Sequence, residues 1–340
     1  MYILIDSFWG GGKSILRSLL DGHPQLKVSP AQEGLFSAFH RNQKIFDLLN
    51  YKDLAIVRKI LSDSYYYDLE KYNYENLRTV DFNLKLHFKF YRLEQFWLKK
   101  IKSLKKWEFK KLLDIILTSI IKYFYNISYK KAQRIKKVFI EDNNFSCHNF
   151  FLKNFNKSKL IIIERDMGGI TSSLISRKKT KNIYHTHNFD KINSFSYLIN
   201  KKLFCFKNEE NKNISKKLIK LYKKRIYICN FQKLIMNTEH EMKKISKFLK
   251  IKFDKTLLTP THYGKKIQTT TKKEFVGEEI YKKEEILNNN QIKILKIIDK
   301  KWNLNDLNPV TVYTFFFLFI KYNFLQILKK IFFFFKAQHQ

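Results

Sequence analysis

Residues 7–14 read Ser7, Phe8, Trp9, Gly10, Gly11, Gly12, Lys13 and Ser14, a run whose types and spacing suit the binding of an anion. Three successive glycines let the backbone approach an anion closely and turn several N–H groups towards it. Set between a strand and a helix, the run gains the partial positive charge of a helix N-terminus, to which Lys13 adds a full charge and Ser14 a hydroxyl. The pattern G-x-x-x-x-G-K-[ST] is incomplete, since Ser7 stands where its first glycine would be. The alternative is a tight strand-to-helix turn that binds nothing. A second group lies downstream, where Arg165 follows the apolar run Leu160, Ile161, Ile162 and Ile163, with Ser173 eight residues beyond it. An arginine at the carboxyl end of a strand can make charge-assisted bonds to a phosphate. The helix expected after it would bring a hydroxyl to the same crevice, where open α/β sheets bind ligands.

These groups need elements to hold them. Tyr2, Ile3, Leu4 and Ile5 form a short β-type run, and Ile15, Leu16, Leu19 and Leu20 give the following helix one apolar face. Gly22 and Pro24 stop that helix, the glycine being expected in the left-handed conformation. Val138, Phe139 and Ile140, then residues 160–163, then Ile226, Tyr227 and Ile228 are further apolar runs beside helical segments. Continuous apolar strands alternating with helices predict a parallel sheet covered on both faces. Residues 41–134 read mostly helical, most clearly at 54–61 and 112–125, and form an insertion without a catalytic motif. Thr238 to Glu241 have the form of a capping box, and Met242, Ile245, Phe248 and Leu249 follow on one face. Residues 284–302 make a further amphipathic helix.

The length of 340 residues suits one large α/β domain with an insertion, or two domains of roughly 150 residues each. At 44% hydrophobic the chain can bury a sizeable core, which excludes global disorder. Lys and Arg number 66 against 30 acidic residues, a formal charge of +36, yet only nine of the 66 are Arg. Abundant Lys, Asn, Ile and Phe are what an AT-rich coding sequence of bacterial kind produces. Arginine, which reads guanine edges and clamps phosphates bidentately, is scarce, so no specific nucleic-acid partner is expected and an anionic ligand or surface is favoured. Cys147, Cys205 and Cys229 are widely spaced, which argues against a disulfide framework or zinc site and for a reducing compartment. His185 and His187 read as a polar loop rather than a metal pair. The first apolar run is too short for a signal peptide. The stretch 306–340 is hydrophobic but interrupted by Lys321, Lys329 and Lys330, so it suits an interfacial anchor or a packed helix pair better than a spanning helix.

Beyond the glycine run stand Leu16, Arg17, Ser18, Leu19, Leu20, Asp21, Gly22, His23 and Pro24. This stretch resembles the sulfotransferase family, and most closely its branch of bacterial, Golgi carbohydrate and tyrosylprotein enzymes. There a glycine loop runs into L-R-x-L-L-D-x-H-P and holds the 5′ phosphosulfate end of 3′-phosphoadenosine 5′-phosphosulfate. The family usually has its cation before the glycine; alignment places Gly10 there, and this chain carries Lys13 after the last glycine instead. Arg165, Asp166 and Ser173 resemble the family's R-D-P-R-D-x-x-x-S segment, whose Arg and Ser hold the 3′-phosphate, with Met167, Gly168 and Gly169 replacing P-R-D. Phe231 stands where the family has the Tyr of Y-E-D-L, and residues 248–251 are similar to its F-L-G-[IL]. Residues 257–266 resemble the late L-L-x-P-T-x-x-G loop, with Lys265 and Lys266 beyond it.

The resemblance covers about 1–40 and 136–270. It implies a P-loop NTPase-like three-layer α/β fold with a mainly parallel sheet of four or five strands. The α/β domain would occupy residues 1–305, with a helical insertion at about 41–135 and the tail at 306–340. It further implies sulfuryl transfer from 3′-phosphoadenosine 5′-phosphosulfate to a hydroxyl acceptor, a saccharide or glycolipid, without an obligatory metal. Gly10, Gly11, Gly12, Lys13 and Ser14 would bind the 5′ end, and Arg165 and Ser173 the 3′-phosphate. Phe231 would face adenine and Lys265 would close over the nucleotide. An acceptor hydroxyl must lose its proton, for which Glu33 is the first candidate base and His40 the second. A cytoplasmic protein, peripheral to the membrane through its tail, is expected. Three other readings stay open. Gly12, Lys13 and Ser14, with Glu141 and Asp142 after a strand, also suit a nucleotide-dependent kinase. A sulfotransferase that has lost activity and a non-enzymatic basic binding or membrane-surface protein are the others.

Overall fold

The computed structural model describes residues 1–7, 11–29, 35–42, 57, 90–105, 108–140, 145–166, 169–170, 217–262 and 265–266. The chain divides into two compact units, Met1–Glu164 with Leu218–Val276, and Arg165–Lys217 with Gly277–Gln340. The first unit opens with β1 (Tyr2–Ser7), α1 (Lys13–Asp21), β2 (Leu26–Val28) and α2 (Leu35–Arg41). Helices α3 (Phe90–Lys102), α4 (Phe109–Phe124) and α5 (Tyr129–Arg134) lead to β3 (Lys136–Ile140), α6 (Phe145–Asn154) and β4 (Lys159–Glu164). After the second unit's segment come a 3-10 turn (Lys223–Arg225), β5 (Ile226–Asn230), α7 (Phe231–Met236) and α8 (Thr238–Leu249). A second 3-10 turn (Lys255–Leu258) leads to the two-residue strands β6 (Thr261–His262) and β7 (Lys265–Lys266).

Strands β1 to β5 form one parallel sheet in the order β2-β3-β1-β4-β5. This is the P-loop-like α/β arrangement expected, with five strands. β1 sits at the centre, between the pair β2 and β3 on one side and β4 and β5 on the other. Its carboxyl end is therefore a reversal of strand order, where open α/β sheets place ligands. Every residue of β1 is buried, because helices cover both faces of the sheet. That is why the strands read as continuous apolar runs.

Tyr2 and Leu4 face a core shared with α2, α3, α4 and α6. Five aromatic rings lock the middle of it. Phe36 meets Phe151 at a centroid distance of 4.9 Å and 80°, and Tyr2 meets Phe155 at 5.1 Å and 75°. Phe139 lies 6.1 Å from Phe36. Such edge-to-face pairs each add about 0.5–1.5 kcal/mol beyond their buried area. Trp97 of α3 and Leu112, Ile116 and Ile120 of α4 are fully buried in the same core. The helical insertion is thus part of the first unit's core. Arg225 closes the end of α6, its guanidinium reaching Leu152 O at 2.8 Å, Phe155 O at 2.7 Å and Ser158 O at 3.0 Å. A cation on the last carbonyls of a helix answers its negative end.

Two local expectations are corrected. Gly22 ends α1 with φ −72° and ψ −6°, so it is right-handed. Space is what it supplies, since a Cβ there would lie 3.1 Å from Thr261 Oγ1. The capping box at Thr238 does not form. Thr238 lies inside α8 and its hydroxyl donates to Leu234 O at 2.8 Å, while Glu241 accepts from the Tyr227 hydroxyl at 2.7 Å. Asn237 joins α7 directly to α8, which leaves no extended residue to cap. Residues 54–61 apart from the buried, helical Val57 lie outside the described residues. So do Cys205, His185, His187, the helix at 284–302 and the tail. Among the described residues no helix is long and apolar enough to cross a membrane.

The α1–β2 turn is held by buried polar groups. Asp21 accepts from the Tyr125 hydroxyl at 3.0 Å and from Thr261 Oγ1 at 2.9 Å. His23 Nδ1 accepts from Gln25 N at 3.2 Å, so its Nε2 donates to Lys252 O at 2.8 Å. His23 is thus a structural residue of the turn. A carboxylate in the last turn of a helix opposes the macrodipole, so Asp21 serves tertiary structure. Asp21→Ala should cost about 1–3 kcal/mol in urea unfolding, because it takes the acceptor from the buried Thr261 hydroxyl, while the Tyr125 hydroxyl keeps Val28 O at 2.8 Å. A loss below about 0.5 kcal/mol would contradict this latch.

Candidate anion-binding site

β1 ends in Asp6 and Ser7, and α1 begins at Lys13 with Gly12 as its N-cap. Gly12 O accepts from Ile15 N at 3.0 Å and Leu16 N at 3.2 Å, which starts the helix. The first-turn N–H groups of a helix have no intrahelical acceptor, and they carry its positive end. No acidic residue stands in this first turn. Lys13, only 5% exposed, does. A buried cation at the positive end of a helix is unfavourable for the helix itself, and it is what an anion-binding turn requires. Gly11 is buried and Ser14 is exposed; Gly10 lies outside the described residues.

Gly12 holds φ 101° and ψ 6°. L-residues rarely adopt this backbone, and space forbids them here as well. A Cβ on Gly12 would lie 2.2 Å from both Cδ2 and Cε2 of Phe231. Phe231, at the start of α7, is fully buried. Its ring supports the underside of the turn and presents no open face to an adenine. Asn230 caps α7, its Oδ1 accepting from Lys233 N at 2.9 Å, and so aims the ring.

Beneath the turn lies a pair that the sequence reading missed. Asp6 Oδ2 lies 2.7 Å from His148 Nε2 of α6, and its Oδ1 accepts from Ser7 N at 2.7 Å. Both side chains are buried, at 0% and 1% exposure. The signal was an acidic residue ending an otherwise apolar strand, which must find a partner when buried. The pair ties the end of β1 to α6.

Arg165 is bonded to Glu164, the last residue of β4, and belongs to the second unit. Asp166 O accepts from Ile170 N at 3.0 Å and Asp166 Oδ1 from Gly169 N at 2.8 Å. The carboxylate thus opens the helical turn at residues 169–170. Arg165 folds over Gly169, where a Cβ would lie 2.7 Å from Arg165 Nε. Gly169 therefore leaves room for the guanidinium. Ser173 and Glu33 lie outside the described residues, as do Glu141 and Asp142. His40 sits half-buried on α2 with its ring 5.2 Å from that of Phe150. Lys265 lies in β7, paired with His262 of β6. Cys229 is buried, and burial with Glu241 nearby pushes its thiol up to about 12. Among the described residues no group of three or more His, Cys, Asp or Glu is placed to hold a metal ion.

No protein-family model and no curated protein matches the chain. Among solved structures it is similar to the sulfotransferase domain from the Synechococcus PCC 7002 olefin synthase, at 14% identity and TM-score 0.45. That match covers 89% of this chain and 95% of that one. The sulfotransferase domain from the curacin biosynthetic pathway is 15% identical with TM-score 0.46, covering 88% and 98% of the two chains. A sulfotransferase from Mycobacterium tuberculosis H37Rv is 10% identical with TM-score 0.37, over 83% and 75%. These are distant likenesses, and what the turn does is read from its own residues.

Gly12→Ala should destabilise the fold by about 2–4 kcal/mol, through left-handed strain and displacement of the Phe231 ring. Combined with Phe231→Leu, it should show a coupling of about 1 kcal/mol or more in urea unfolding. Strict additivity of the two substitutions would contradict the contact.

Proposed function

We propose that this chain is a sulfotransferase that moves a sulfuryl group from 3′-phosphoadenosine 5′-phosphosulfate to a hydroxyl. The observation that carries the reading is the β1–α1 turn, a left-handed Gly12 and a buried Lys13 opening a helix that runs into Asp21, His23 and Pro24. In the resembling family that segment holds the 5′ end of this donor. The residues fit an anionic donor, since the turn offers helix-terminal N–H groups and a cation.

The donor supplies an activated sulfur whose bond to the bridging oxygen is cleaved as the acceptor oxygen attacks. The work of this chain is positioning and fixed positive charge. Residues 10–14 orient the 5′ phosphosulfate, and Lys13 stabilises negative charge gathering on the departing bridge oxygen. Arg165 and Ser173 hold the 3′-phosphate. Glu33, or His40 in its place, accepts the proton of the acceptor hydroxyl. Lys265 covers the nucleotide. A saccharide or glycolipid acceptor and a cytoplasmic location, with peripheral membrane contact through residues 306–340, complete the reading.

The test is titration calorimetry with 3′-phosphoadenosine 5′-phosphate beside ATP with magnesium. One-site binding of the former is expected, weakened roughly 10- to 100-fold by Lys13→Ala or Arg165→Ala, the loss of one charge-assisted contact. Gly169→Ala should weaken it less, by crowding Arg165. Binding of ATP with magnesium alone would favour the kinase reading that Lys13 and Ser14 also suit. Binding of neither would overturn the enzymatic reading.

A further inference from the structure

The edge of the sheet opposite the glycine turn is basic across its width. β3 starts with Lys136 and Lys137, β4 with Lys159, and β5 directly after Lys223, Lys224 and Arg225. The side chains join across the strands. Lys136 Nζ donates to Lys250 O, and Lys159 Nζ to Lys224 O at 2.8 Å. Burial lowers the affinity of Lys136 and Lys159 for their protons, and in both cases the charge on Lys250 lowers it further. Lys137, Lys136 and Lys157 likewise weigh on the amino group of Met1, after its own burial. These cations therefore occupy one field. Among the described residues no ion pair neutralises Lys157, Lys159, Lys223, Lys224 or Lys250. Asp114, the carboxylate that bears on Met1 and Lys137, is bonded to the Tyr2 hydroxyl.

An apolar residue stands in the same patch. Leu221, just before the 3-10 turn, is 67% exposed, with exposed Lys220, Lys223 and Lys224 around it in the chain. A large aliphatic group set among lysines matches a bilayer interface, where the apolar tip enters the headgroup boundary and the ammonium groups meet lipid phosphates. Nucleic acid is a poorer match. The planar guanidinium of Arg225, which could clamp phosphate bidentately, is turned inward onto Leu152, Phe155 and Ser158. It also covers one face of the Tyr222 ring, at 5.3 Å from its centroid.

We infer that this amino-terminal sheet edge docks on an anionic phospholipid surface through Lys157, Lys223, Lys224 and Lys250, with Leu221 entering the interface. The inference uses no residue of the tail and does not depend on the donor assignment. β1 has six residues, so at about 3.3 Å per residue the glycine turn is held about 20 Å from the bilayer and faces away from it. An acceptor carried by the same membrane would then have to stand out from its surface by about that distance.

The test uses the full chain and vesicles of phosphatidylcholine, with and without one-third phosphatidylserine, in a flotation assay. Binding is expected only to the anionic vesicles, and it should fall as salt rises. The fourfold change Lys157→Gln, Lys223→Gln, Lys224→Gln and Lys250→Gln should lower it by about three orders of magnitude. Leu221→Ser should weaken binding and leave its salt dependence unchanged. Both variants should keep the wild-type unfolding midpoint and the wild-type affinity for 3′-phosphoadenosine 5′-phosphate, or equal lack of it. Anionic-vesicle binding that survives the fourfold change would assign the contact to another part of the chain and overturn the inference. So would failure of the wild type to float, or tighter binding to a duplex DNA oligonucleotide than to the anionic vesicles at equal salt.

Discussion

At Gly12 the backbone turns through φ 101° with the Phe231 ring lying where a Cβ would be. The turn needs both the left-handed conformation and the missing side chain. The ring gets there because β5 pairs with β4 and β4 with β1, in registers that join Ser7 to Ile163 and Ile163 to Cys229. Phe231 follows β5 by one residue. The conformation at Gly12 therefore depends on the pairing of β1, β4 and β5. A fully buried ring has little room to shift, so its packing holds Gly12 in this conformation.

Charge is organised around that turn in layers. Below it, the Asp6–His148 pair anchors the end of β1 without exposing either group. In it, Lys13 and the helix end present positive charge. Behind it, Asp21 and His23 hold the far end of α1 to Tyr125, Thr261 and Lys252. The residues that make L-R-x-L-L-D-x-H-P recognisable are thus largely architectural. They keep a short helix pointing its N-terminus at one place. The opposite end of the parallel sheet carries a second field of lysines, so cations gather at both ends in different geometries.

Four of the five strands were legible because burial on both faces makes them continuous apolar runs. β2 was not, since three residues with Lys27 in the middle leave no run to read. The turn was legible in its glycines and Lys13, and Arg165 in its place after β4. Phe231 was found as a position but not as a role, because a ring beneath a loop and a ring stacked on a ligand have the same sequence. The Asp21, Tyr125 and Thr261 contact spans separations of 104 and 240 residues, beyond any local pattern. Thr238 misled because a capping box is a statement about an isolated helix start, and α7 runs into α8 without one.

The most direct measurement is a crystal structure with 3′-phosphoadenosine 5′-phosphate bound. The account predicts the 5′-phosphate on the backbone N–H groups of residues 11–14 and Lys13, with Phe231 still beneath Gly12. A nucleotide seated away from the turn, or one stacked on a swung-out Phe231, would contradict it.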